Sequence, residues 1–223
     1  MPQDLDITIA NEPVKLLAER AALLVDRGTL IVADLHLGTP ETHRSLAVSM
    51  PEGIAEEALD RLERIVARWH PKRITLLGDL VQLTEDPDEP LIAAFTRWRH
   101  RINLPISIIG SHAEASGTIP RSWRIDDDGE HRRIGPLELR HHPRPDDGES
   151  TDQDPMLIAG HRHPVISLGS GSQRTLAHAF VLEPRQLILP AFTPYARGVR
   201  VRPAASRSIY AITDCSVAEI HGD

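Results

Sequence analysis

Cysteine is nearly absent from this chain. Cys215 stands alone, so a disulfide framework is excluded and so is a zinc site built on thiolates. Lysine is almost as scarce, at Lys15 and Lys72 only, and the remaining positive charge is arginine, whose planar fork suits phosphate. No apolar stretch approaches the roughly 18 residues that a membrane helix needs. The N-terminus has neither the basic segment nor the apolar segment of a leader peptide, so the expectation is a cytoplasmic protein. Positive charge is also in deficit: 25 Lys and Arg against 32 Asp and Glu give a net charge of −7, so the surface as a whole is no magnet for nucleic acid. Arginine clusters at 97–101 and at Arg197, Arg200, Arg202 and Arg207 read as solvated faces. No internal repeat is visible, and 223 residues suit one α/β domain over 1–223 with a substantial core.

What the chain does have is five short apolar runs, each ending in an aspartate or a histidine. Residues 29–33 lead into Asp34-Leu-His36, 73–77 into Gly78-Asp79, and 105–109 into Gly110-Ser-His112. Residues 137–140 lead into His141-His-Pro143, and 155–159 into Gly160-His-Arg-His163. Runs of this length read as buried strands. Chemistry in open α/β sheets gathers at the carboxyl ends of strands, so one sheet edge is expected to collect Asp34, His36, Asp79, His141, His161 and His163. In extended backbone, alternate side chains share a face, so Asp34 with His36, and His161 with His163, are each expected to grip one ion together. The same alternation favours His141 over His142, which reads equally well as structural or substrate-contacting.

Carboxylate and imidazole ligands without thiolate suit manganese, iron or zinc. The set exceeds what one four-coordinate site needs, so two ions sharing a bridging carboxylate, Asp79, is the economical reading. Paired ions lower the pKa of a bridging water and neutralise a phosphoryl group under attack, which points to phosphate ester hydrolysis. Taken singly, each aspartate or histidine reads as a turn or surface residue; the joint order carries the inference. His43, His70, His100, His131, His178 and His221 match no motif.

The rest of the chain supplies the frame. Short strands are expected at 6–10 and 14–17, and a hairpin joins 20–25 to 29–33. Ala58, Leu62, Ile65 and Trp69 recur at helical spacing within 54–69, and a second helix is expected over 91–101, giving two βαβ units. Residues 122–130 read as a turn or exposed loop and 144–155 as a surface loop. Strands are expected at 176–182, 186–189, 208–213 and 217–220. The fold class is α/β, a four-layer α/β/β/α sandwich of two mixed sheets flanked by helices.

Asp34-Leu-His-Leu-Gly38, Gly78-Asp79, Gly110-Ser-His112 and Gly160-His-Arg-His-Pro164 resemble the motif series of calcineurin-like metallophosphoesterases. Residues 32–38, His141-His-Pro143 and 187–192 are similar to the ligase-associated bacterial DNA-repair phosphoesterases of the PdeM type. The resemblance implies one ion on Asp34, His36 and His163, a second on His141 and His161, and Asp79 as the bridge. It further implies manganese as the usual ion, DNA or another phosphodiester as substrate, and DNA ligase, helicase and exonuclease partners. The third motif departs from the family's Gly-Asn-His-Asp: Ser111 replaces an asparagine ligand of the second ion, and Ala113 replaces the aspartate that orients His112. His112 is expected to assist the leaving oxygen. A tight first ion, a weaker second one and reduced turnover follow. The other expectations are a non-catalytic metal-binding partner protein and a small-molecule phosphomonoesterase.

Overall fold

The computed structural model describes residues 2–37, 53–81, 87–110, 119–145, 154–169, 173–213 and 215–221. The chain opens as an antiparallel meander, β1 (Leu5–Ile9), β2 (Glu12–Leu17), β3 (Ala21–Leu24) and β4 (Thr29–Ala33). It then switches to parallel pairing through β5 (Arg73–Leu77), β6 (Ile106–Ile109) and β7 (Asp126–Asp127), completing a seven-stranded sheet in chain order. Helix α1 (Ile54–Trp69) lies between β4 and β5, and α2 (Glu89–Arg101) between β5 and β6.

Local chemistry explains both helices. In α1 the buried residues Ala58, Leu59, Leu62 and Ile65 form one stripe, and Glu56 and Glu57 occupy the first turn, where the helix dipole favours negative charge. The helix stops at His70, which adopts the left-handed conformation and donates its N–H to the Val66 carbonyl. Asp88 caps α2 by accepting the Leu91 N–H at 3.0 Å. Beneath the helices Phe95 stacks on Trp123 with ring centroids 4.1 Å apart.

The second sheet has eight strands in mixed order. β8 (His131–Ile134), β9 (Leu137–Arg140) and β10 (Met156–Ala159) are followed by β11 (Val165–Leu168), β12 (Thr175–Glu183), β13 (Gln186–Ile188), β14 (Ser208–Thr213) and β15 (Ser216–Ile220). Their spatial order is β15-β14-β12-β13-β10-β9-β8, with β11 added on β12. Alternation sorts the side chains into layers. Leu30 and Val32 of β4 face the helices, with Trp98 and Leu62, while Ile31 and Ala33 face the second sheet. Phe180 and Tyr210 point back into that inter-sheet core, and Ala179 and Ala211 point to the far side, where Ile166 of β11 packs.

The two-sheet α/β sandwich is thus as expected, and among the described residues both helices lie on the first sheet. The stretch 122–130 is not merely a loop. Arg121–Trp123 forms a 3-10 turn with Trp123 fully buried, and Asp126–Asp127 is the parallel edge strand. No helix of the described residues is long and apolar enough to cross a membrane.

Candidate metal centre

β4 and β5 end together, and their continuations stay paired. The Asp34 N–H reaches the Leu77 carbonyl at 3.1 Å, the His36 N–H the Asp79 carbonyl at 2.9 Å, and the Leu37 N–H the Leu80 carbonyl at 2.8 Å. On the other sheet the Gly160 N–H binds the His141 carbonyl at 3.0 Å, aligning the ends of β10 and β9. The two sheets meet here through the His161 N–H on Asp34 Oδ2 at 2.8 Å, and through the Phe192 N–H on the Ala33 carbonyl at 2.8 Å. Phe192 is held in turn by Arg20, whose Nε donates to its carbonyl at 2.8 Å, and by Arg61, whose guanidinium lies 3.9 Å over its ring. Burial lowers both arginines, to about 10 and about 9, so both stay charged at neutral pH.

The expected residues therefore converge, with a correction. They come from the facing ends of two sheets, not from the edge of one. A second correction concerns the backbone. Asp34 (φ 53°), His36 (φ 45°), His161 (φ 66°) and His163 (φ 46°) are left-handed, not extended. Each such residue costs about 1–2 kcal/mol, a cost that concentrates at functional sites. Asp34 and His36 still approach one another, but His161 and His163 do not share a ligand group. One group is Asp34, His36 and His163; a second is His141, His142 and His161; Asp34, Asp79 and His141 form a third that joins them.

Asp34 is fully buried and central. Its Oδ1 lies 2.8 Å from His141 Nε2 and its Oδ2 lies 3.4 Å from His163 Nε2. The half-buried Asp79 lies 3.8 Å from His36 Nε2. His163 Nδ1 stands 3.2 Å from the Arg197 carbonyl, which can only accept, so Nδ1 carries the proton and Nε2 turns to the site. His36 and His163 bring their Nε2 atoms within 3.3 Å of each other. His36 Nδ1 is buried and has no hydrogen-bond partner among the described residues.

Nitrogen atoms aimed at one another beside two carboxylates are what a cation would reconcile. Metal–nitrogen bonds of about 2.1 Å put two imidazole centroids on one ion about 4.5–5.2 Å apart. The His36 and His163 centroids are 5.1 Å apart. The donor set fits a divalent metal.

Glycines make the room. A Cβ on Gly78 would stand 2.0 Å from the His141 ring, and one on Gly160 would stand 2.6 Å from Asp34 Oδ2. Gly198 permits close approach as well, since a Cβ there would meet the His163 carbonyl at 2.4 Å.

Burial pushes the Asp34 carboxyl up, yet hydrogen bonds from His141 and His163 and their charge outweigh it and hold the group well below the usual carboxylate range. Burial pushes both imidazoles down, and Asp34 overrides it, holding them above 6.5. Burial lowers His36 beyond what Asp34 and Asp79 restore, which favours its neutral, ligating form.

The raised imidazoles stabilise the metal-free fold fully below their unfolded value of 6.5, and that contribution is lost as pH rises through their folded values. Ions need these rings deprotonated, so metal binding releases protons and strengthens over the same interval. Thermal melts from pH 6.5 to 8.5 should fall in chelator and rise relative to it with metal. Parallel curves would contradict the assignment.

His142 is the residue that strand alternation set aside. Alternation lapses because β9 ends at Arg140, and the chain bends at both histidines. The doublet before Pro143, a residue that restricts its predecessor, was the available signal. Gly38, Ser111, His112 and Ala113 lie outside the described residues.

A two-sheet α/β sandwich with histidine and aspartate groups able to hold metal between its sheets defines the class of the molecule. Among solved structures it is similar to that of the Pseudomonas putida nuclease MPE, with a TM-score of 0.80 and 27% identity over 98% of this chain and 100% of that one. No protein-family model matches the chain, and no curated protein matches it.

Proposed function

We propose that the protein is a metal-dependent phosphodiesterase, acting as a nuclease, of the calcineurin-like metallophosphoesterase type. The observation that carries the reading is the convergence of Asp34, Asp79 and five histidines, within a chain similar over 98% of its length to a nuclease. Asp34, His36 and His163 would hold one divalent ion and His141 and His161 the other, with Asp79 the carboxylate available to both. Manganese, iron and zinc all accept these donors. Ions held there supply a water nucleophile at neutral pH and neutralise charge on the phosphoryl oxygens.

The chain's own groups supply position. In the metal-free protein Asp34, held by three donors, sets the spacing of His141 and His163. The Arg197 carbonyl fixes the tautomer of His163. His112 is assigned to the leaving oxygen by resemblance, and Ser111 to weak ligation. A DNA-repair role with ligase, helicase and exonuclease partners rests on the same resemblance.

Arg197, Arg200 and Arg202 are exposed and have no carboxylate partner among the described residues, whereas Arg207 pairs with Glu183 at 3.0 Å. They adjoin His163 and suit the backbone of a phosphodiester polymer. Replacing Arg200 and Arg202 with glutamine should raise KM for an oligonucleotide and lower its salt slope by about 2, with bis-p-nitrophenyl phosphate unaffected. Equal effects on both substrates would remove the arginines from substrate binding.

The functional test is hydrolysis of bis-p-nitrophenyl phosphate and of an oligonucleotide with added manganese, by the wild type and by Asp79→Asn. Turnover abolished in the variant is expected. No hydrolysis of either by metal-loaded protein would favour the non-catalytic partner protein, and preference for p-nitrophenyl phosphate would favour the monoesterase.

A further inference from the structure

We propose that His142 is a ligand of the second ion, which makes that site a three-imidazole site, His141, His142 and His161, that favours zinc over manganese. The inference rests on the two-ion reading and adds to it a ligand and a metal preference.

Three rings meet at this point. The centroids of His142 and His161 are 4.2 Å apart, those of His141 and His142 are 4.6 Å apart, and those of His141 and His161 are 5.0 Å apart. Two of these separations lie within the interval of about 4.5–5.2 Å expected for imidazoles sharing one ion, and the third, His142 to His161, is just below it. One nitrogen from each ring fits within a common span of 4.8 Å. Two consecutive residues rarely point to one spot, and here they do so because β9 has already ended at Arg140 and the chain bends.

The packing account of His142 is weak. Its side chain makes no hydrogen bond and no ion pair among the described residues, and it belongs to no apolar cluster. Glu138, four residues before it, is engaged by Arg140 at 2.7 Å. His141 and His142 also line a cavity of about 290 Å³ with Glu130, His131 and Arg144. Donor chemistry sets the preference. The first group contains a buried carboxylate and two imidazoles, whereas the second contains three imidazoles, a nitrogen-rich set that suits zinc better than manganese.

Equilibrium dialysis with elemental analysis tests this without turnover. The full chain and His142→Gly are titrated with zinc alone and with manganese alone, and both are checked by circular dichroism. Expected is a wild type with two zinc ions per chain, and a variant in which one of them binds about 10–100-fold more weakly, with the other unchanged. Added imidazole should restore the weakened ion, a rescue that a merely structural role would not show. Cobalt loading should give visible bands that differ between the two proteins and converge on imidazole addition. Unchanged zinc affinities in the variant would overturn the role of His142 alone. A zinc-to-manganese affinity ratio at the second site no larger than at the first would overturn the preference. A wild type that binds fewer than two ions would instead sink the two-ion reading beneath both.

Discussion

On the two-ion reading, Asp34→Asn is expected to empty the site that Asp34 shares with His36 and His163, to weaken its neighbour through His141, and to lower phosphodiester turnover by about a thousandfold or more, the scale of several kcal/mol of lost charge stabilisation. The substitution keeps the shape and removes the charge. Asp34 is fully buried, and its two oxygens face His141 Nε2, the His161 N–H and His163 Nε2. An amide has one accepting oxygen where three donors converge, and its NH2 would oppose one of them. The metal-free protein should also lose about 3–5 kcal/mol, because a buried charged imidazole is left without its counter-charge. Metal content, turnover and melts in chelator read the three effects separately. Wild-type metal content in Asp34→Asn would show that the ions, if any, bind elsewhere.

The second large effect needs only one methyl group. Gly78→Ala is expected to destabilise the fold by about 2–5 kcal/mol, combining left-handed strain with overpacking. Gly78 sits at φ 70°, and its Cβ would fall 2.0 Å from His141 Cδ2 and 2.2 Å from Nε2. The ring cannot retreat freely, since a Cβ at Gly110 would already stand 2.6 Å from the His141 Cβ, which leaves the ring hemmed between the two loops. His141 should therefore be displaced from Asp34, with loss of the ion it helps hold. Gly53→Ala is the control: φ is 86° and nothing lies within 4 Å of the added carbon, so strain of about 1 kcal/mol and unchanged metal content are expected. Equal metal content in both variants would remove His141 from the metal centre.

These predictions use geometry that the sequence shows only in part. β4, β5 and α1 are legible to the residue, because uninterrupted apolar runs and a regular helical stripe have few alternatives. β8 is hidden because His131, Arg132 and Arg133 offer no apolar pattern, and β7 because it consists of two exposed aspartates held by pairing with β6. The metal-competent residues are legible as strand-end punctuation. Which sheet each belongs to is not, since β4 with β5 and β9 with β10 are equally good parallel pairs in sequence terms. Their meeting depends on the core between the sheets and on bonds such as His161 N–H to Asp34. The alternation rule fails for the same reason at His142 and His163: it describes strands, and these side chains stand where strands have ended.

Anomalous diffraction from crystals soaked in manganese would locate the ions. Two peaks are predicted, one bounded by Asp34, His36 and His163, the other by His141, His142 and His161, with Asp79 between. A well-ordered Asp34 beside His141 and His163 with no peak near them, at saturating manganese, would contradict the account.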